Sequence, residues 1–527
     1  MTKPTIAYYA AEYATSDGLP MYAGGLGVLA ADYVMEAAAQ GWQVVAFGAA
    51  YQGRLGAAGF KRLERDGQVF ETVVDFGDWQ VKCWAWEREF GTTRLVLIDA
   101  DREDNSVLSR WLTSNLYDPD VSTRLLQEFV VAEASLAALN FLSVKPDRYH
   151  LNEGHMAFVP LALAARLRDE HGRMTLADAI EGVRSQVVGS KHTILAGAGD
   201  FADESMLERL FGKYLDRYGW SAHELLAAGP KASAPETFST TAFMIGSAIR
   251  SSAVSQLHAK IEHEQHPESQ LIPVTNGVHR PRWQESNLEG PADKLTDSEL
   301  WRRHGDNRRT MVEYLNKQVG VNLNPDRLTV VWARRFAPYK RPMLLFSDVT
   351  RLQRLLTGDP GFQLVVSGNA NPTDEEGTRI LEQLVELAQN PDFAGRLLYL
   401  PHYSTSVSRR LVAGADVWLN TPTRGMEACG TSGMKAGLNG ALQLSTRDGW
   451  LDEVELPAIG WEIPDAEPAE ALYKTLEQEV LPAFYGRDEA GVPQDWMRRM
   501  RAVVKLTEEQ FTAARMLEDY RTKLYQL

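Results

Sequence analysis

Residues 417–440 read VWLNTPTRGMEACGTSGMKAGLNG, and the punctuation of this stretch decides the fold. Val417 to Asn420 is a short apolar run ended by a proline- and glycine-bearing turn, which predicts a buried strand. After Glu427, the turn Gly430-Thr431-Ser432-Gly433 opens a segment that reads as a helix and carries Lys435. A strand that feeds a helix through such a turn is part of a β/α unit, the element from which parallel sheets are built.

The same alternation runs outward in both directions. Leu328 to Trp332, Phe362 to Ser367, Arg396 to Leu400 and Ala441 to Leu444 are predicted strands of the same series. An earlier series comprises Ile6 to Tyr9, Val44 to Phe47, Arg94 to Ile98, Arg148 to Asn152 and Gln186 to Val188, with helices predicted over Leu29 to Gln40, Ser122 to Asn140, Ala157 to His171 and Ala242 to Glu264. The pattern predicts an α/β protein of two doubly wound, Rossmann-like lobes facing across a cleft, where ligands of open sheets gather. The expected domains are residues 1–285, residues 286–510 and a C-terminal helix over 511–527 packing back on the lobes. Pro281 to Asp297, with Gly290 and Pro291, is the expected connection, and Ala471 to Leu481 and Thr507 to Tyr525 are expected covering helices.

Composition narrows the function classes. Against 55 basic residues stand 70 acidic ones, a net charge of −15, which argues against a general nucleic-acid binder. The two cysteines, Cys83 and Cys429, lack a CxxC partner, so neither a disulfide framework nor a zinc site is expected. No signal-peptide core stands at Thr2 to Ala11, and the charge-free run Ala37 to Gly53 is interrupted by polar residues and glycines. A cytoplasmic protein without a membrane span is expected.

Three further stretches carry chemistry. LPMYAGGLGVLAAD (19–32) sets Gly24, Gly25 and Gly27 before a helix, where free N–H groups can hold an anionic oxygen. It satisfies a GxGxxA pattern, but no acid ends the next strand, so a nicotinamide site is not expected. WARRFAPYKRPML (332–344) gathers Arg334, Arg335, Lys340 and Arg341 behind an apolar strand, a cluster that suits one or two phosphates. Thr431 and the adjoining turn amides suit another; Lys435 taken alone reads most simply as a surface charge, but a lysine held in an apolar wall can form a Schiff base with an aldehyde cofactor. HLNEGH (150–155) offers His150, Glu153 and His155, but a strand points alternate side chains apart, so no metal is expected there.

Together with TNGVHRPRW (275–283) and FYGRDEAGVPQDWMRRM (484–500), these stretches resemble, in order along nearly the whole chain, the α-glucan (glycogen, starch, maltodextrin) phosphorylase family, especially its compact bacterial branch. The resemblance implies a GT-B type glycosyltransferase fold and reversible, retaining phosphorolysis of terminal α-1,4-linked glucose to α-D-glucose 1-phosphate. It further implies pyridoxal 5′-phosphate bound as a Schiff base at Lys435. Gly430, Thr431, Ser432 and Arg334 would hold the cofactor phosphate, and Trp283 would wall its ring. Arg335 and Lys340, with the amides of Gly25 and Leu26, would hold inorganic phosphate. Glu427, Asn276, His192 and Tyr339 would line the glucose pocket. Taken singly, each has a plainer reading: Asn276 in an Asn-Gly turn, His192 as a bonded core residue, Glu427 as a helix N-terminal acid.

Departures from the family pattern are Cys429 in place of serine, Arg334 in place of lysine, and Lys191-His192-Thr193-Ile194 in place of a THTP-like run. The chain is also shorter than the animal and plant members, so their regulatory surfaces are not expected. The implied partners are a maltooligosaccharide or α-1,4-glucan and phosphate or glucose 1-phosphate, with no nucleic acid or membrane and with a homo-oligomer possible. Two rival readings are a sugar-nucleotide glucosyltransferase of the same fold and a catalytically silent glucan-binding homologue.

Overall fold

The computed structural model describes residues 3–15, 17, 23–52, 55–194, 199–267, 269–288, 294–370, 374–393 and 395–527. Gly290 and Pro291 of the expected connection, and the Leu19 to Tyr22 end of the glycine segment, lie outside the described residues. The chain forms two compact units, one of residues 1–254, 258–274 and 517–527, the other of residues 255–257 and 275–516.

In the first unit, β1 (Thr5–Tyr9), β2 (Gln43–Ala49), β3 (Gln80–Phe90), β4 (Thr93–Asp99), β5 (Arg148–Asn152), β6 (Val187–Lys191) and β7 (Arg250–Ala253) belong to one sheet in the order β7-β6-β5-β1-β2-β4-β3. Neighbours pair in parallel except β3 with β4. The central strand β1 is buried from Ile6 to Tyr9, as expected where helices cover both faces. β3 alternates buried and half-buried residues, so it belongs to an antiparallel extension that the βα pattern did not predict. Helix Val121–Leu142 is apolar and long enough to cross a membrane, yet Phe129, Val130 and Leu136 lie in the core of this unit.

The second unit holds β8 (Leu328–Ala333), β9 (Phe362–Ser367), β10 (Leu397–Leu400), β11 (Val417–Asn420), β12 (Leu442–Ser445) and β13 (Gly460–Glu462), all parallel, in the order β10-β9-β8-β11-β12-β13. This is the doubly wound arrangement in which the strand order reverses between the first and fourth strands. The reversal opens a crevice at the carboxyl ends of β8 and β11. Both strands are buried throughout.

Asp416, immediately before β11, pins this crevice from below. Its side chain is fully buried and accepts from Arg308 Nη1 (2.6 Å), His304 Nε2 (3.0 Å) and the Thr329 amide of β8 (2.8 Å). Burial alone would raise its pKa, but the Arg308 charge and these hydrogen bonds hold it below the usual carboxylate range.

Three sequence expectations are corrected. Ala242 to Glu264 is not one helix: Thr240–Gly246 ends at Ser247, β7 follows, and a second helix spans Gln256–Gln265. The run Ser251-Ser252-Ala253 belongs to the sheet, where Ser252 Oγ meets Ser190 Oγ of β6 at 2.7 Å. Periodicity alone does not separate a short apolar strand from a helix segment. Thr507 to Tyr525 is likewise broken, because helix Gln494–Gln510 stops at Phe511 and Thr512 bridges to Val278 before helix Ala513–Asp519 begins. Ala471 to Leu481 also departs from one regular helix: Pro468–Thr475 passes through a wider π turn, Leu476–Val480, into Leu481–Tyr485.

Replacing Asp416 by alanine leaves Arg308 buried without its anion, and should cost about 3–5 kcal/mol of stability in urea unfolding followed by circular dichroism.

Candidate active site

The cations of the ARRFAPYKR segment leave β8 at its carboxyl end, on the crevice side. Arg334 is buried and anchored by its amide to Ser367 O of β9 (3.0 Å). Its Nη2 donates to Glu427 Oε2 at 2.8 Å, while Nε and Nη1 are buried with no partner among the described residues. Lys340 ends a short 3₁₀ turn, Pro338–Lys340, and its ammonium donates to the same Glu427 oxygen at 2.6 Å. Arg341 serves a different purpose: it donates to the carbonyls of Thr421 (2.8 Å) and Pro422 (2.9 Å), tying the loop after β8 to the loop after β11. Tyr339 is half-buried beneath Lys340, and its carbonyl accepts from the Thr423 amide at 2.7 Å. Arg335 is exposed.

Two buried cations on one carboxylate oxygen determine its protonation. Burial pushes the Glu427 pKa up, but Arg334 and Lys340, with a further contribution from Arg335, bring it down to about 2. Glu427 is therefore an anion at neutral pH. Its backbone is held as well: the Glu427 amide donates to Asp448 Oδ2 at 3.0 Å. Asp448 escaped the sequence reading. The available signal was an acid before a glycine just beyond a predicted strand, a pattern shared by many ordinary turns.

Beyond Glu427 the chain turns at Gly430, whose φ of +83° favours glycine, into helix Thr431–Gly437. Ser432 Oγ accepts from Trp418 Nε1 at 3.2 Å. Lys435 is buried, with Nζ 4.2 Å from the centroid of the Trp283 ring. Asn439 holds both partners by donating to the carbonyls of Trp283 (2.8 Å) and Lys435 (3.0 Å). Asn276 is buried; its Oδ1 has no partner among the described residues, and its amide faces the Cys429 sulfur. The structure thus brings Arg334, Tyr339, Lys340 and Glu427 together, and sets Lys435 against Trp283.

These residues fit pyridoxal phosphate. A Cβ built on Gly430 would lie 4.0 Å from Arg334 Nη2, so the Arg334 guanidinium, two of whose nitrogens lack partners among the described residues, stands close to the start of the Lys435 helix. Buried donors without acceptors, next to backbone free of side chain, suit an anion. The Trp283 face beside Lys435 suits a flat ring.

In the first unit, His192 follows β6. Its amide donates to Glu153 Oε2 (2.9 Å) and its Nε2 lies 3.0 Å from Asn152 Oδ1. Asn152 Nδ2 donates to Tyr9 O at 2.9 Å, which turns Oδ1 toward the imidazole and assigns the proton to Nε2. Burial lowers the His192 pKa to about 3 and His258 adds to the shift, so the ring is neutral at physiological pH. Burial raises Glu153 to about 7 against the hydrogen bonds and Lys191 charge that lower it. Gly25 and Leu26 begin helix Gly25–Ala39, and the preceding Ala23 and Gly24 amides donate to Glu12 Oε2 (2.8 and 2.9 Å). His150 is bonded to Tyr525 OH and Ser190 Oγ, both at 2.7 Å.

Fold and site together define an α/β enzyme that places an excess of buried cations at the switch point of a doubly wound sheet. A family model described as carbohydrate phosphorylase matches residues 269–459, the segment that contains Arg334, Lys340, Glu427 and Lys435. A glycogen phosphorylase of Aquifex aeolicus is 32% identical over 99% of this chain and 86% of its own length. A glycogen phosphorylase of Mycobacterium bovis is 31% identical over 98% of this chain and 70% of its own, and a maltodextrin phosphorylase of Thermococcus litoralis 29% over 99% and 70%. The chain belongs to the carbohydrate phosphorylase family.

A carboxylate whose folded-state pKa is depressed contributes stability above its unfolded pKa and loses it as the pH falls toward the folded value. Wild type should therefore exceed E427Q by on the order of 3 kcal/mol at about pH 7, and most of that gap should vanish by about pH 2. Urea unfolding of both proteins across this range checks it.

Proposed function

We propose that the chain is an α-glucan phosphorylase, a glycosyltransferase that transfers the terminal α-1,4-linked glucose of a maltooligosaccharide to inorganic phosphate and back. The observation that carries the reading is the buried Arg334–Glu427–Lys340 group near the Lys435 helix, in a chain related to named phosphorylases over almost its whole length. The reading takes the two units as the facing lobes of a GT-B type transferase.

Arg335 and Lys340 hold the substrate phosphate in this proposal, with the Gly25 and Leu26 amides contributing from the first unit. Fixed cations lower the cost of bringing a second phosphate close to the first, because their dipoles and charges are already oriented. Arg334, Gly430, Thr431 and Ser432 bind the phosphate of pyridoxal phosphate, whose ring lies against Trp283 and whose aldehyde is tethered at Lys435. When bound, this cofactor supplies a phosphate able to exchange a proton with the substrate phosphate.

The protein's own groups orient the sugar. Ionised Glu427 accepts hydrogen bonds from glucose hydroxyls, which a protonated acid would do less well. Asn276 Oδ1 is another acceptor, and neutral His192 adds a hydrogen-bonding group without adding charge. Tyr339 covers an edge of the pocket. Cys429 leaves the backbone contacts of this turn in place, since the Trp450 amide still donates to its carbonyl at 3.0 Å.

Purified protein incubated with maltodextrin and phosphate should release glucose 1-phosphate and show a near-ultraviolet cofactor band. K435A should lose the band and about a thousandfold or more of the activity. Turnover of nucleotide sugars instead would move the protein to the glucosyltransferase reading. R335A should retain the band and raise KM for phosphate about tenfold, the loss of one charge-assisted phosphate contact.

A further inference from the structure

We infer that Asp448 is a positioning residue for Glu427: its buried carboxylate sets the turn that carries Glu427 and so governs the binding of the glucosyl group. The inference rests on the proposed role of Glu427 as acceptor for sugar hydroxyls.

Asp448 lies just past β12, is 3% exposed, and forms no ion pair among the described residues. Backbone amides satisfy it instead. Oδ2 accepts from Glu427 (3.0 Å) and Met426 (3.3 Å), and Oδ1 accepts from Gly449 (2.8 Å). Burial raises its pKa to about 6, and the Glu427 charge adds to the rise against those hydrogen bonds. A buried carboxylate without a cation is costly, and it persists where its acceptor capacity is used.

The contact is closely fitted on both sides. Gly449 has φ of +55°, and a Cβ there would stand 2.2 Å from the Cys429 carbonyl. The Trp450 amide donates to that same carbonyl at 3.0 Å. Residues 448–450 therefore grip residues 426–429 at several points. Glu427 is constrained at its tip by Arg334 and Lys340 and at its base by Asp448. An asparagine would offer one oxygen, and its NH₂ would face a backbone N–H, so the isosteric change removes the grip without removing volume.

The test measures glucose 1-phosphate kinetics in the direction of glucan synthesis, with cofactor-loaded wild type, D448N, E427Q and the double variant. D448N should raise KM for glucose 1-phosphate about tenfold, leave KM for maltooligosaccharide within about twofold, and retain the cofactor band. In the E427Q background the same substitution should change KM for glucose 1-phosphate by less than about twofold, because a residue acting through Glu427 has nothing left to act on. Equal effects in both backgrounds, or an unchanged KM in D448N, would overturn the inference while leaving the phosphorylase reading intact. Absence of turnover by wild type would overturn that reading and this inference with it. Should D448N not fold, D448E, which keeps the charge but lengthens the arm, is measured the same way and should show a raised KM for glucose 1-phosphate. Failure of both variants to fold would assign Asp448 to stability alone and overturn the positioning role.

Discussion

Two cations, Arg334 and Lys340, converge on a single oxygen of Glu427 at the carboxyl end of a buried parallel sheet. One carboxylate cannot neutralise two cations, so the group carries a net positive charge in a place poor in water. Arg334 keeps two further N–H groups without acceptors. Desolvated positive charge and unmet donors are costly in the absence of an anion. Such a group suits an anion, and the chemistry proposed for the protein is an answer to that electrostatic demand.

Holding such a group in place requires structure around it that does not yield. Asp416 ties β8, β11 and the helix Asp297–Val319 through one fully buried carboxylate, and Arg341 ties together the loops that leave the two strands. Asn439 joins Trp283 to the Lys435 helix. None of these residues needs to touch a substrate. Their contribution is to keep the cations from relaxing toward carbonyl oxygens or water, which would quench the field that the site depends on.

In the first unit, hydrogen bonds fix the residues around His192. His192 is half-buried, neutral and fixed in one tautomer by Asn152, whose own orientation follows from its bond to Tyr9. Glu153, at a φ of +68° uncommon for a glutamate, receives the His192 amide and the Thr193 hydroxyl.

The βα series, the strands near the site and the clustering of Arg334 with Lys340 could be read from residue type and order, because apolar runs, glycine turns and clustered cations are local signals, whereas the roles expected of Glu427 and Lys435 came from the family resemblance. Ser251 to Ala253 could not be read as a strand, since its partner Ser190 is remote in sequence and its composition is compatible with a helix. The antiparallel extension pairs β3 with its sequence neighbour β4 and fell outside a reading built on βα units, whereas the break at Phe511 depended on the still more distant Val278. Asp448 was illegible for the same reason: a turn aspartate becomes a clamp only when another loop brings its amides within 3 Å or so, and that approach is decided by parallel strands β11 and β12 lying side by side. The sequence by itself determined which charges this protein carries to its strand ends. Only the tertiary structure decided which of them share an oxygen, which are spent on backbone, and which are left for a ligand, because desolvation and hydrogen-bond geometry exist only once remote segments meet.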